Sequence, residues 1–104
     1  MKPFFLYMLH CRDGSYYTGH TDDLEKRMIE HTEGLCPGYT SKRRPVQLVF
    51  CDEFQSREEA KERERQVKGW SRAKKEALIR KDWEELRRLS RSSASFDKLR
   101  TLGG

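Results

Sequence analysis

The sequence predicts a mixed α/β (α+β) domain, a three-stranded antiparallel sheet in the order 2-1-3 flanked by helices. Three observations carry this. Two strand-like runs, Phe4–Cys11 and Ser15–Thr21, bracket Arg12-Asp13-Gly14, and an Asp-Gly pair between such runs is a strong hairpin signal. The first run, FFLYMLHC, is apolar almost throughout, and a strand apolar on both faces belongs in the middle of a sheet. A helical stretch separates the second run from a third, Val46–Phe54. A right-handed crossover makes those two strands parallel. The hairpin sets strand one antiparallel to strand two, so strand three pairs with strand one in the antiparallel sense.

Each element has its own local reason. Side chains alternate along a strand, so Tyr16 and Tyr17 point to opposite faces, one to pack and one toward a site. The first helix spans Asp23–Glu33: Thr21 and Asp22 offer capping oxygens, Glu25 supplies an acid in the first turn, and Gly34 stops it. Leu24 and Met28, with Ile29 beside them, form its core stripe. Arg27 and His31 lie four residues apart, on one face, at the border of that stripe with solvent. Residues 34–45, GLCPGYTSKRRP, read as a loop. Ser56-x-x-Glu59 is a capping box and starts a helix to about Gly69, with Ala60, Val67 and Trp70 on its inner face. Glu64 falls on that same face. Ser71 caps a third helix, with Ala73, Ala77, Leu78 and Ile79 for packing, and Trp83, Leu86 and Leu89 suggest a last helical segment covering the domain. The domain is expected to span 1–89, with 90–104 a loosely held, flexible tail rich in Ser and Arg.

At 104 residues the chain is one domain at most. Charged residues are 38 % and hydrophobic residues 35 %, which suits a modest core under a wide solvated surface. The formal net charge of +5 favours a polyanionic partner. Cys11, Cys36 and Cys51 are odd in number and far apart, so they read as free thiols rather than a disulfide framework or a zinc site. The apolar run at the N-terminus is too short for a signal peptide, and no stretch is long enough to span a membrane. A soluble, cytoplasmic protein is expected, as a monomer, with a weak dimer as the alternative.

Two tyrosines on paired strands, Tyr7 and Tyr17, with an arginine and a histidine on the next helix, make a site suited to phosphate chemistry. Tyr7 in Leu6-Tyr7-Met8 and the run Tyr17-Thr18-Gly19 resemble the two halves of the GIY-YIG nuclease signature. Phe5-Leu6-Tyr7 stands where the family has Gly-Ile-Tyr, so only the tyrosine of the first half is kept. Arg27 and His31 fall where the family carries its arginine and a His or Tyr. Val67–Ile79, VKGWSRAKKEALI, looks like the small, single-domain bacterial branch of the family, the UPF0213-like proteins. The resemblance covers roughly residues 4–80. It implies that Tyr7, Tyr17, Arg27, His31 and Glu64 are catalytic, that Gly19 is a backbone element, and that Glu64 binds metal.

Physical chemistry supports the same set. Hydrolysing a phosphodiester requires neutralised phosphate charge, a deprotonated water and a stabilised leaving oxygen. Arg27 can bind phosphate through two parallel hydrogen bonds. Glu64, costly on an inner face without a partner, can hold one Mg²⁺ or Mn²⁺ with water and phosphate oxygens completing the shell. Its structural alternative is a salt bridge, with Arg27 as partner. Either tyrosine can be the general base, given positive charge or metal to lower a pKa near ~10; His20, His31 and Arg27 can supply that environment. Tyr39 with Lys42, Arg43 and Arg44 suits a nucleic-acid strand, and His20, Lys68, Lys74 and Lys75 extend the basic set. The expected function is a metal-dependent endonuclease acting on DNA, single-stranded or branched forms included. The alternative is a non-catalytic nucleic-acid-binding module. A protein-interaction adaptor would leave Glu64 and Arg27 unexplained.

Overall fold

Residues 2–90 are described by the computed structural model. The elements run β1 (Phe4–His10), β2 (Tyr16–Thr21), α1 (Leu24–Thr32), a 3-10 turn (Thr40–Lys42), β3 (Gln47–Phe54), α2 (Arg57–Lys68) and α3 (Arg72–Ile79). Residues 83–90 form a fourth helix, α4. The described residues fall into two compact units, one ending at Gly69 and the other starting at Trp70.

The sheet has the expected order, β2-β1-β3, and is antiparallel throughout. β1 takes the centre because consecutive residues on both its faces, Leu6, Tyr7, Met8 and Leu9, are buried. Tyr7 lies opposite Gly19 on β2 and Cys51 on β3, and Leu6 lies opposite His20 and Asp52. Alternation therefore puts Phe5, Tyr7, Tyr17, Gly19 and Thr21 on one face and Phe4, Leu6, Met8, Thr18 and His20 on the other. α2 covers the second face: the Arg57 guanidinium lies 5.4 Å from the Phe4 ring centre, and His20 reaches Glu64. α1 and the 3-10 turn serve the first face, through His31 and Thr40.

α1 begins one residue later than the sequence suggests. Asp23, not Asp22, is the cap, its Oδ1 accepting from the Lys26 N–H at 3.1 Å. Thr21 Oγ1 instead accepts from the Asp23 N–H at 3.0 Å. The buried stripe also shifts. His31 is 2 % exposed, not at the solvent border, while Ile29 is 51 % exposed. Two residues of helix turn a side chain about 200° away, so burying His31 turns Ile29 outward. Leu24 and Met28 are half-buried beside His31.

The helix stops at Gly34, whose φ of +74° is a left-handed conformation that favours glycine. A Cβ at Gly34 would lie 2.7 Å from Arg44 Cζ. Arg44 Nη1 uses that space to donate to the Thr32 carbonyl at 3.3 Å. A cation on the last carbonyls of a helix is favourable.

α2 starts on the expected cap, with Ser56 Oγ accepting from the Glu59 N–H at 3.2 Å. Ala60 and Val67 are buried, and Glu64 is half-buried between them. In the second unit Ser71 Oγ accepts from the Lys74 N–H at 3.2 Å. Ala77 and Leu78 are buried there, whereas Ala73 is exposed in the first turn. Trp83 is 51 % exposed, and Leu86 and Leu89 are half-buried. Ser90 is helical, and the rest of the expected tail lies outside the described residues. The three cysteines are free thiols. Among the described residues no helix is long and apolar enough to cross a membrane.

The central position of β1 sets an expectation for stability. Leu6→Ala should cost about 2–5 kcal/mol in urea unfolding, the usual range for a fully buried leucine. Leu48→Ala, on edge strand β3 and 39 % exposed, should cost far less. Equal losses would contradict the central placement of β1.

Candidate active site

Tyr7 is fully buried, yet it ends in a hydroxyl that must find a partner. It finds one in α1: Tyr7 Oη is 2.9 Å from His31 Nε2. His31 Nδ1 is in turn 2.8 Å from Thr40 Oγ1. A neutral imidazole satisfies both contacts in either tautomer. With Nε2–H it donates to Tyr7 and accepts from the Thr40 hydroxyl; with Nδ1–H it donates to Thr40 and accepts from the Tyr7 hydroxyl. The electrostatics agree. Burial, reinforced by nearby Tyr17, pushes the Tyr7 phenol well above the ordinary tyrosine range, although Arg27 opposes it. Burial, with Arg27 second, pulls His31 below the usual histidine range. Thr40 is buried too, and no periodicity or motif in the sequence singles it out.

Gly19 is the fourth member of this cluster. It lies directly across the sheet from Tyr7, and a Cβ there would sit 2.6 Å from Tyr7 Oη and 2.7 Å from Cζ. The glycine is needed because the phenol lies over its backbone.

Tyr17 stands at the outer side of the group, half-buried. Its ring centre is 6.2 Å from Tyr7, 5.4 Å from His31 and 6.0 Å from Tyr39, on which it stacks at 28°. Arg27 belongs to this side as well, since its charge acts on both Tyr7 and His31. Its guanidinium is steadied by Glu30, with Nε 3.2 Å from Oε1.

Glu64 forms a second cluster on the other face of β2. His20 Nδ1 donates to Oε1 at 2.7 Å, and Lys68 Nζ lies 2.9 Å from Oε2. Burial alone would raise the Glu64 carboxyl, but Lys68 and His20 outweigh it and hold it below the usual glutamate range. The expected partnership of Glu64 with Arg27 is therefore corrected: Arg27 pairs within α1, and His20 and Lys68 take its place. Gly19 and His20 are neighbours on β2 that point to opposite faces. The two clusters thus flank β2, which is an edge strand of the sheet.

A single carboxylate fits one kind of metal. Mg²⁺ and similar hard cations keep several waters and use one or two carboxylates together with substrate phosphates. Each oxygen of Glu64 retains a lone pair beyond the one used. Among the described residues no three His, Cys, Asp or Glu side chains gather as a fuller metal cage.

The basic residues of residues 34–45 divide by role. Arg44 is tied to the end of α1. Arg43 donates to Asp13 and to the Tyr39 carbonyl, both at 2.9 Å, and its guanidinium lies 3.8 Å from the Tyr39 ring centre. Lys42 ends the 3-10 turn. In the second unit Lys74 Nζ lies 4.3 Å from the Trp70 ring centre, with Lys75 beside it in α3.

Two measurements follow from this packing. Gly19→Ala should destabilise by about 1–3 kcal/mol, the range for overpacking a tight contact; wild-type stability would mean that the Tyr7 ring moves aside freely. The second concerns pH. Folding buries His31 as the neutral base, while the unfolded chain protonates it below about 6.5. The unfolded state then binds more protons, so stability falls as pH drops from roughly 7 toward 5. His31→Gln should flatten that fall in urea midpoints; parallel profiles would show that His31 contributes nothing to it.

Comparison with known proteins agrees with this geometry. Residues 3–77 match the GIY-YIG catalytic domain. A UPF0213 protein of Staphylococcus saprophyticus is 47 % identical over 79 residues, covering 76 % of this chain and 96 % of the relative. A UPF0213 protein of Halobacterium salinarum is 47 % identical over 74 residues, covering 71 % and 96 %. Among solved structures, a protein of E. faecalis superposes with a TM-score of 0.56 at 37 % identity, covering 78 % of this chain and 86 % of that one. The UPF0213 protein of Bacillus halodurans gives 0.50 at 44 % identity, covering 74 % and 82 %. With the paired tyrosines, the glycine between them, and the arginine and glutamate beside β2 all in place, the chain belongs to the GIY-YIG family, on its UPF0213 branch.

Proposed function

We propose that this protein is a metal-dependent endonuclease that hydrolyses phosphodiester bonds of DNA, single-stranded or branched forms included. The observation that carries the reading is the pair of clusters flanking β2. One gathers the half-buried Tyr17 with Tyr7 and His31, on which the Arg27 charge acts, and the other offers a carboxylate held ionised. Arg27 binds the scissile phosphate and offsets the charge that builds on it. Tyr17, as the phenolate, takes the proton from the attacking water and returns to the phenol. Tyr7 is the weaker candidate for that role, because its phenol is fully buried and already hydrogen-bonded to His31. Tyr7 and His31 instead form a rigid backing against which Tyr17 is held.

Glu64 is the residue that would hold Mg²⁺ or Mn²⁺. The metal, when bound, supplies Lewis-acid neutralisation of the phosphate and a more acidic water. His20 orients the carboxylate through its Nδ1–H. Lys68 is exposed enough to release Oε2 and contact a phosphate instead.

One observation favours the alternative of a non-catalytic nucleic-acid-binding module. Both oxygens of Glu64 already have partners, so a purely structural ion pair is chemically complete without metal.

A cleavage assay on labelled single-stranded, duplex and branched DNA, with Mg²⁺, Mn²⁺ or EDTA, separates the two. Arg27→Ala should lower cleavage by roughly 10²–10³-fold, the scale of one lost charge-stabilising group, with the fold intact by circular dichroism. Tyr17→Phe should lose about 10²–10⁴-fold, the range for a general base, and Tyr7→Phe less. Glu64→Gln should abolish cleavage at every Mg²⁺ concentration, together with any rise in melting temperature on adding metal. A Glu64→Gln protein that cuts at the wild-type rate would sink the mechanism. A melting temperature lowered equally with and without metal would favour the binding module.

A further inference from the structure

We infer that the cleft between the β1–β2 turn and the 3-10 turn, lined by Arg12, Asp13, Lys42 and Arg43, is a second phosphate-binding subsite. It takes a backbone phosphate of the same nucleic-acid strand whose scissile phosphate lies at Arg27. The inference rests on the nuclease reading above for that strand's position.

The cleft holds about 400 Å³ and is built rather than incidental. The Arg12 N–H donates to the Arg43 carbonyl at 2.9 Å, which docks the hairpin turn onto the loop. Asp13 reinforces the joint, accepting from Arg43 Nε at 2.9 Å and from the Ser15 N–H at 3.0 Å and Oγ at 2.5 Å. Those Ser15 bonds, with Arg43 after them, hold the Asp13 carboxyl below the usual aspartate range. Asp13 is therefore an ionised strut, with both lone pairs of Oδ1 and one of Oδ2 engaged.

The lining carries three cations against this one carboxylate. Arg43 is spent on Asp13, on the Tyr39 carbonyl and on the Tyr39 ring. Arg12 and Lys42 are left, and no carboxylate among the described residues pairs with either side chain. Two unneutralised cations facing one open cleft suit a phosphate monoanion, which accepts from a guanidinium fork and an ammonium together.

The location identifies the ligand. Arg43 covers Tyr39, and Tyr39 stacks on Tyr17. The aromatic chain runs unbroken from the proposed base to the cleft, so a strand held at Tyr17 continues across Tyr39 to Arg12 and Lys42. The contacts are to charge alone, so the subsite grips the backbone and reads no base. The basic triplet Lys42-Arg43-Arg44 thus does not act as a rail of three equal contacts. Arg44 supports α1, Arg43 braces the cleft, and Lys42 with Arg12 meets the phosphate.

The test is fluorescence anisotropy with a labelled single-stranded oligonucleotide in EDTA, titrated across salt concentration. The Arg12→Ala/Lys42→Ala protein should bind about tenfold more weakly at low salt. Its log–log salt slope should be smaller by roughly 0.7, the value for one phosphate contact on a single strand. The charge-matched Lys61→Ala/Arg63→Ala protein, altered on the exposed side of α2, should keep the wild-type slope. An unchanged slope in the first variant, or an equal change in the control, would overturn the subsite. So would poly-glutamate competing as well as DNA of equal charge, since the cleft would then serve acidic polypeptides. Because the assay needs no turnover, a flattened slope in a protein that cuts nothing would retire the nuclease reading and leave the subsite standing.

Discussion

A phenol buried without a hydrogen-bond partner is costly, and the Tyr7 hydroxyl lies in the middle of the sheet face that carries the site. Much of the architecture answers that one demand. Its partner, His31, must come from α1, which fixes the rotation of the helix and turns Ile29 to solvent. His31 has a second nitrogen to satisfy, which draws in Thr40 and so anchors the 3-10 turn. The ring itself lies over β2, which requires Gly19. Three separate segments are held in register by one oxygen and the imidazole it meets.

This arrangement divides labour between two tyrosines that look equivalent on paper. Tyr7 is locked, and its environment resists ionisation. Tyr17, two residues from Gly19 on the same face, packs against the locked group yet keeps part of its surface free. The rigid residue positions and the freer one is left for chemistry. Across β2 the same economy holds for Glu64. His20 and Lys68 stabilise its charge on an inner helical face, where an unpaired carboxylate would not be tolerated. Arg27, released from that duty, is steadied by Glu30 and keeps its guanidinium on the tyrosine side.

Much of this was legible in the sequence. The Asp-Gly turn and the two-sided apolar run of Phe4–Leu9 pointed to the sheet order, because register and burial follow from local pattern. Ser56 and Ser71 announced their helices, because caps are local chemistry. The register of α2 was enough to place Glu64 between Ala60 and Val67. What local pattern could not reveal were contacts between segments distant in sequence. Glu64 meets His20, on a strand far back in the chain, rather than Arg27; its other partner, Lys68, is one turn along α2, a local pair of the kind a sequence does show. A histidine so rarely forms the buried stripe of a short helix that His31 read as a border residue. Thr40 carries no signal of its own, since its role exists only once His31 is in place. The Lys42-Arg43-Arg44 triplet read as uniform charge, and only packing against Gly34, Asp13 and Tyr39 separates its members.

The joint between Arg12 and Arg43 has a consequence for how such a protein can diverge. It is made by backbone atoms, an N–H and a carbonyl, so it does not depend on which side chains occupy those positions. The geometry of the cleft can survive while its charge is rewritten, one substitution at a time, at positions 12 and 42. Descendants could drift toward tighter, weaker or differently tuned strand binding without refolding the loop. The tyrosine, glycine and histidine of the locked cluster have no such freedom, because each one's identity is the contact. The fold thus places an evolvable rim beside an unforgiving centre.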